Sequence, residues 1–502
     1  MRQATRQRKQ SYLRQEVGQT MGIWIQLLLG LLAILLIFVC VLLIRTSAFK
    51  PPQPYSIVAS EAVVDAERAT KNLMSMIRCK TISYDDPSLI NIAEFIAFRN
   101  MLSVRFPLIH KTATVELVES TGLLFTIKGE SDSAPTVLMA HYDVVPADEE
   151  SWEKPAFEGI LEDGVLWGRG ALDTKVTLNG IMNATEMLLE QGFIPKNDLY
   201  LAFAGDEEVA GTAAPAMVEL LHQRGVQPAM VIDEGGAVVE DIFPGVTQPC
   251  AVVGIAEKGM LNVELSLVSQ GGHASAPPPH TLVGQLAQAV VRIESKPFPS
   301  RLTKPVAEMF DTLGRHSSFL YRMIFANLWC FLPLLDSICR KAGGELNAMM
   351  RTTCAFTMME AGEACNVLPP NAAMRANLRL IGGETPDSAL ARLKSIANNP
   401  NIIFTNLYGM EPSSTSKTTG KHWELLSSVI RETWPGALVS PYLMVAASDS
   451  RHYSRISDGV YRFSAIALSK AERETIHGHN ERIPVESIVK TVQFYLRLIR
   501  QC

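Results

Sequence analysis

The chain has 502 residues, 47% of them hydrophobic, which is more apolar material than one small domain needs and predicts two folded units. Its net charge of −5 comes from 51 acidic against 46 basic residues. No global positive field draws in nucleic acid, so polyanionic partners have no basis in the composition.

The basic residues concentrate at the start, where Arg2, Arg6, Arg8, Lys9 and Arg14 precede an apolar run from Gly22 to Ile44 broken only by Gln26. A helix needs about 20 apolar residues to cross hydrocarbon, whereas the apolar part of a signal peptide runs roughly 7–15. Residues 1–21 therefore read as a basic cytoplasmic tail and 22–44 as a transmembrane signal anchor, which places the rest of the chain in a lumen or outside the cell. Thr46-Ser47-Ala48 supplies small residues after the span, so a cleaved signal and a secreted protein form the alternative. Pro51, Pro52 and Pro54 mark 45–54 as a stiff stalk, with folding from Tyr55. Seven cysteines come after the span without a CxxC or a regular spacing, and read as small hydrophobes and not as metal ligands.

Over 55–257 short apolar runs alternate with helical patterns: Thr136 to Ala140, Gly180 to Leu189, Leu199 to Ala204, Ala214 to Leu221 and Met230 to Ile232. This predicts an α/β fold with βαβ units around a mixed, mainly parallel sheet flanked by helices, whose ligands collect at the C-terminal strand edge. From Lys258 the pattern changes to amphipathic strands such as Leu261 to Val268 and Met374 to Leu380, predicting an inserted α+β unit over 258–411. Alternation then returns, so 412–502 completes the first sheet. Met323 to Leu335 is apolar but too short for a second span, and predicts a helical hairpin that packs on the inserted unit, in its core, or lines an acyl-chain groove. Asn183-Ala184-Thr185 has the form of a glycosylation sequon but falls on a helix predicted to be packed.

Polar residues that bear chemistry end several of these runs. His141 and Asp143 lie two apart after a strand and point the same way, so the carboxylate can fix the tautomer of a metal-binding imidazole. Asp206-Glu207-Glu208 ends another strand, and three adjacent carboxylates need water or a cation to offset their repulsion. Asp173, Asp233 and the late His477 complete a set of nitrogen and carboxylate donors that suits two zinc ions.

The blocks His141-Tyr142-Asp143-Val144-Val145-Pro146, Gly168-Arg169-Gly170 to Asp173, Asp206-Glu207-Glu208, Asp233-Glu234-Gly235-Gly236 and His477-Gly478-His479-Asn480-Glu481 resemble, in order, the zinc amidohydrolase family of aminoacylase and carboxypeptidase G. The likeness is strongest to the branch holding carboxypeptidase S and N-fatty-acyl-amino-acid synthase/hydrolase. It implies a zinc-peptidase-type catalytic domain over 55–257 and 412–502, with 258–411 as a lid. It further implies that Asp173 bridges two Zn2+ ions, that His141 and Asp233 complete one and Glu208 and His477 the other, and that Asp143 orients the His141 side. Glu207 becomes the general base that takes a proton from the attacking water and passes it to the leaving nitrogen. A cis peptide is implied at Asp173-Thr174. His273 in Gly272-His273-Ala274-Ser275 matches a lid histidine that polarises the substrate carbonyl and enters the neighbouring subunit's site in dimeric members, so the resemblance allows a homodimer through the lid without fixing the oligomeric state. Asn366, Arg379 and Arg451 match residues that bind the substrate carboxylate.

The expected function is cleavage, and formation in reverse, of the amide bond of N-acyl amino acids, with fatty-acyl groups favoured by the branch. The alternatives are a metallo-carboxypeptidase on short peptides and, more remotely, a non-catalytic membrane-anchored binding protein.

Overall fold

Strand Ser131–His141 alternates its buried side chains between two faces, Leu138 and Ala140 on one, Val137 and Met139 on the other. Both faces are covered, which is why the run is continuously apolar. It belongs to an eight-stranded mixed sheet in the computed structural model, which describes residues 2–52 and 60–502. The strand order is Thr114–Val118, Gly122–Ile127, Asn197–Ala204, Ser131–His141, Met230–Val239, Val460–Leu468, Cys250–Glu257 and Leu438–Met444. Its central pairs are parallel, and antiparallel pairs occur at the Thr114 edge and between Val460–Leu468 and Cys250–Glu257.

Helices Ala66–Ile77, Lys175–Glu190 and Val485–Ile499 pack together over one face, while Ala213–Gln223 covers the other. Gly180 permits a close approach of Lys175–Glu190 to Val485–Ile499, because a Cβ there would lie 2.5 Å from Thr491 Cγ2. The sequon residue Asn183 is buried in the same layer, its amide donating to Asn179 and accepting from Asn72. A small sheet pairs Arg482–Pro484 with Val165–Trp167 and brings the late His477–Glu481 segment beside the loop that carries Asp173.

A second sheet, ordered Thr353–Glu360, Asn371–Leu380, Gly259–Val268 and Ile403–Met410, is antiparallel throughout. Helices Leu282–Ser295 and Pro386–Ala397 bury the alternate positions Leu261, Val263 and Leu265 from one side, giving a core separate from that of the large sheet.

The N-terminal helix runs from Arg2 to Ala48, and its part Thr20–Ala48 is long and apolar enough to cross a membrane. Residues 45–50, expected in the stalk, are instead held against the body. Arg45 donates to Ala326 O and Asn327 Oδ1, and Phe49 lies under the Arg315 guanidinium at 4.4 Å. Pro54 and Tyr55 lie outside the described residues.

The apolar segment around Trp329 forms two helices, Phe319–Ala326 and Leu328–Ala342, which meet at 110°. Asn327 breaks them, since its side chain donates to Met323 O, Leu42 O and Thr46 Oγ1. The expected placement on the second sheet does not hold. Phe325 packs with Phe243 and Phe310 in the core of the large sheet, because the chain there follows helix Lys304–His316 back to that sheet. The cysteines are free, with Cys250, Cys339 and Cys502 buried.

Candidate metal centre

His141 ends its strand in register with Ala204 of the neighbouring strand, so the turn Glu207–Val209 beyond Ala204 curls back beside it. Asp143 ties the two together. Its carboxylate accepts Ser83 Oγ at 2.7 Å and the backbone N–H groups of Glu207 and Glu208 at 3.2 and 3.1 Å. The His141 Nδ1 faces the Asp143 carbonyl at 3.1 Å, which assigns the ring proton to Nδ1 and frees Nε2.

That Nε2 faces Asp173 Oδ1 at 3.0 Å, and the other oxygen of Asp173 faces His477 Nε2 at 3.1 Å. His477 Nε2 also meets Glu208 Oε2 at 3.0 Å. One ligand atom from each of His141, Asp173 and Glu208 lies within 4.8 Å of the others. Ligands about 2.0–2.1 Å from a zinc at tetrahedral angles stand roughly 3.3–3.4 Å apart, so the spacing and the nitrogen and carboxylate donors fit a small divalent cation. In the metal-free chain burial opposes the charged form of His141. Its contacts with Asp143 and Asp173 nevertheless raise it well above the ordinary histidine range. Hydrogen bonds to Asp173 and Glu208 push His477 up to about 10.

The loop that presents Asp173 is held by Glu481. This buried carboxylate accepts the N–H groups of Gly170, Leu172 and Asp173 and pairs with Arg169 at 3.0 Å. The Asp173–Thr174 peptide is cis.

Asp233 does not end its strand, as the apolar run predicts, but lies within Met230–Val239. Gly235, at φ +138°, and Gly236 let the strand continue. A Cβ on Gly236 would lie 1.9 Å from Val252 O, so only glycine permits this approach. Strand pairing sets Ile232 beside Leu138, which brings Asp233 to the same sheet edge as His141. Its carboxylate accepts the Ser450 N–H at 2.9 Å. Ser448 and Ser450 are in turn held by Glu257, which pairs with the fully buried Arg462 at 2.5 Å.

Burial lifts the Glu207 carboxyl well above the usual carboxylate range; His141 opposes this, while Asp449, Asp143 and Glu208 add to it. Asp206, its neighbour, caps a helix instead, because its Oδ2 accepts the N–H groups of Thr212 and Ala213 at the start of Ala213–Gln223.

Arg379 and Arg451 share one neighbourhood, where burial and then Arg451 lower the Arg379 pKa. His273 and Asn366 are exposed and adjacent across a two-residue ladder, with Ala274 N–H donating to Asn366 O. Their hydrogen bonds stay in that ladder and do not reach the cluster. Sequence reasoning misses Ser83, Ser450, Glu257 and Arg462. The last had a signal, a lone arginine inside the apolar run Val460–Leu468, which requires a buried partner.

A mixed sheet with histidines and carboxylates gathered at one edge defines a metal-dependent hydrolase architecture. The model of peptidase family M20/M25/M40 matches residues 137–501, and the chain belongs to that family, whose members hydrolyse amide bonds. It is 34% identical over 487 residues to N-fatty-acyl-amino acid synthase/hydrolase PM20D1 of Xenopus tropicalis, covering 94% of each chain. It is 32% identical over 473 residues to probable carboxypeptidase S-like 2 of Dictyostelium discoideum, covering 91% of each. Among solved structures, the M20 family metallo-carboxypeptidase Sso-CP2 of Sulfolobus solfataricus shares the fold, with a TM-score of 0.63 at 16% identity over 86% of this chain and 98% of that one. The Bacillus subtilis YXEP protein, described as a dinuclear metal-binding peptidase, shares it at 0.55 and 12%, covering 87% and 98%.

Proposed function

We propose that the protein is a two-zinc amidohydrolase that cleaves, and in reverse forms, the amide bond of N-fatty-acyl amino acids. The observation that carries the chemistry is Asp173, whose two carboxylate oxygens each face a different imidazole. His141 and Asp233 would hold one ion, Glu208 and His477 the other, with Asp173 between them. When bound, zinc supplies Lewis-acid polarisation of the scissile carbonyl and lowers the pKa of water.

Glu207 takes the proton of the attacking water and delivers it to the leaving nitrogen, a role that suits a carboxyl raised by burial. Asp143 fixes His141 and the Glu207–Glu208 turn together. Arg379, Arg451 and Asn366 bind the substrate carboxylate, and His273 donates to the developing oxyanion. Since His273 is exposed and away from the cluster, it acts after closure of the 258–411 unit as a lid or from a second subunit. The Thr20–Ala48 helix serves as an anchor with a cytoplasmic N-terminus, and the catalytic body over 55–257 and 412–502 faces a lumen or the outside. If that helix is cleaved, the protein is secreted.

The identity to the PM20D1 protein over 94% of each chain favours the fatty-acyl substrate. A second reading, a carboxypeptidase on short peptides, draws on the carboxypeptidase S-like relative at 32%. Purified full chain, analysed for metal, is to be assayed side by side on long-chain N-acyl amino acids and dipeptides. Higher kcat/KM on the acyl substrates is expected; cleavage of dipeptides alone replaces the first reading by the second.

A further inference from the structure

We propose that the bent helix pair Phe319–Ala326 and Leu328–Ala342 lies in the interface of a lipid bilayer, giving the protein a second, non-spanning membrane contact beside its N-terminal helix. The inference rests on reading that helix as an uncleaved anchor. The pair exposes Phe319, Leu320, Trp329, Leu334 and Ile338, each more than half accessible. Leu334 and Ile338, one turn apart, share one side of the second helix, and large apolar side chains left in water in this number mark a surface that something covers.

The neighbouring span identifies the cover. The Trp329 ring meets Phe38 edge-on, with centroids 5.9 Å apart. Phe38 precedes Ile44, the end of the apolar run, by six residues, or about 9 Å of helix. A side chain that touches Phe38 shares its depth, so Trp329 enters the bilayer if the span does.

The pair is also fixed there. Asn327 donates to Leu42 O and Thr46 Oγ1, and Arg45 donates to Ala326 O and Asn327 Oδ1, all on the last turns of the span. At eight and 15 residues, meeting at 110°, the two helices are too short and too bent to cross. They suit an element lying in the interface plane. The flanking chemistry agrees. Tyr321 and Trp329 are the ring types found at headgroup level, and the exposed Arg340 and Lys341 stand at the end of the second helix, within reach of lipid phosphates.

The test uses the full chain in phosphatidylcholine vesicles that contain a phospholipid with a diazirine in its acyl chain. After irradiation, adducts are mapped by peptide mass spectrometry. Adducts are expected on peptides covering Phe319–Ile338 as well as on the Thr20–Ile44 span. Leu334→Glu with Ile338→Glu should lower the former by about fivefold or more and leave span labelling and amide hydrolysis unchanged. Adducts confined to the span, or helix-pair labelling that the double variant does not change, overturn the proposal. Failure of the anchor reading shows separately, as a mature N-terminus that lacks the span, and labelling of the helix pair then still decides the case.

Discussion

The Glu481 carboxylate accepts the backbone N–H of Asp173 at 3.1 Å and, with the same oxygen, that of Leu172 at 2.6 Å. Glu481 is not among the candidate ligands, yet it decides where the Asp173 carboxylate points. Loss of such a supporting contact typically costs 10–100-fold in metal affinity. Glu481→Gln is expected to weaken metal binding by about that factor. Competition with a chromogenic chelator measures it, and unchanged affinity removes this role. The same variant leaves the buried Arg169 without its counter-charge, so the unfolding midpoint should fall as well.

Glu207 and Glu208 are consecutive in a 3-10 turn, where neighbouring side chains diverge by about 120°. Glu208 faces His477, which leaves Glu207 directed elsewhere. Glu207→Gln is therefore expected to lower kcat by about 10²–10⁴-fold. Metal content, read by elemental analysis of the purified variant, should not change. A variant that loses metal along with activity would make Glu207 a ligand and not a base.

His141, Asp173 and Glu208 are legible in the sequence because each polar side chain stands after an apolar run or a glycine-rich turn, where a buried charge has few other uses; His477 follows a charged stretch, and the resemblance of its block is what marks it. The supports are not legible. Glu481 reaches the Asp173 backbone across 308 residues, and a carboxylate bound to N–H groups imposes no residue type on its partners. Glu257 and Arg462 each look like an isolated charge beside an apolar run, and only the register that sets Arg462 opposite Gly254 brings them together. Asp233 reads as a strand end because glycine is taken as a breaker, whereas here Gly235 and Gly236 carry the strand across a close contact. The helices around Trp329 have a composition common to core and to membrane-facing elements, and only their exposure separates the two.

Arg379 and Arg451 repel one another in a partly buried space, and neither is fully paired. Arg379 Nη1 and Arg451 Nε are buried without a hydrogen-bond partner. An anion placed between them would relieve both defects, which fits a substrate carboxylate. Charge-assisted hydrogen bonds are worth about 1.5–3 kcal/mol, so Arg451→Met or Arg379→Met should raise KM by about 10–100-fold with little change in kcat. A substrate whose carboxylate is replaced by an amide should not distinguish these variants from the parent. Equal penalties on both substrates would count against the assignment.

Lys258 comes directly after the strand Cys250–Glu257 and is almost wholly buried, its Nζ donating to Ala348 O and Arg351 O at 2.8 Å each. Burial first, and the nearby Arg379 second, push its pKa down from 10.5 to about 7. In the unfolded chain this amine holds its proton to about pH 10.4, whereas in the folded chain it releases it near neutrality. Between those limits the unfolded state binds more protons, so rising pH favours the folded state. The contribution is present in full above the unfolded value and is lost as pH falls through about 7. Denaturant unfolding of the parent and of Lys258→Met isolates the effect, because the other titrating groups are common to both. The parent should gain stability relative to the variant as pH rises from about 7 to about 10. A constant difference across that range would mean that Lys258 keeps its proton in the fold, with the two carbonyls stabilising the ammonium against both burial and Arg379.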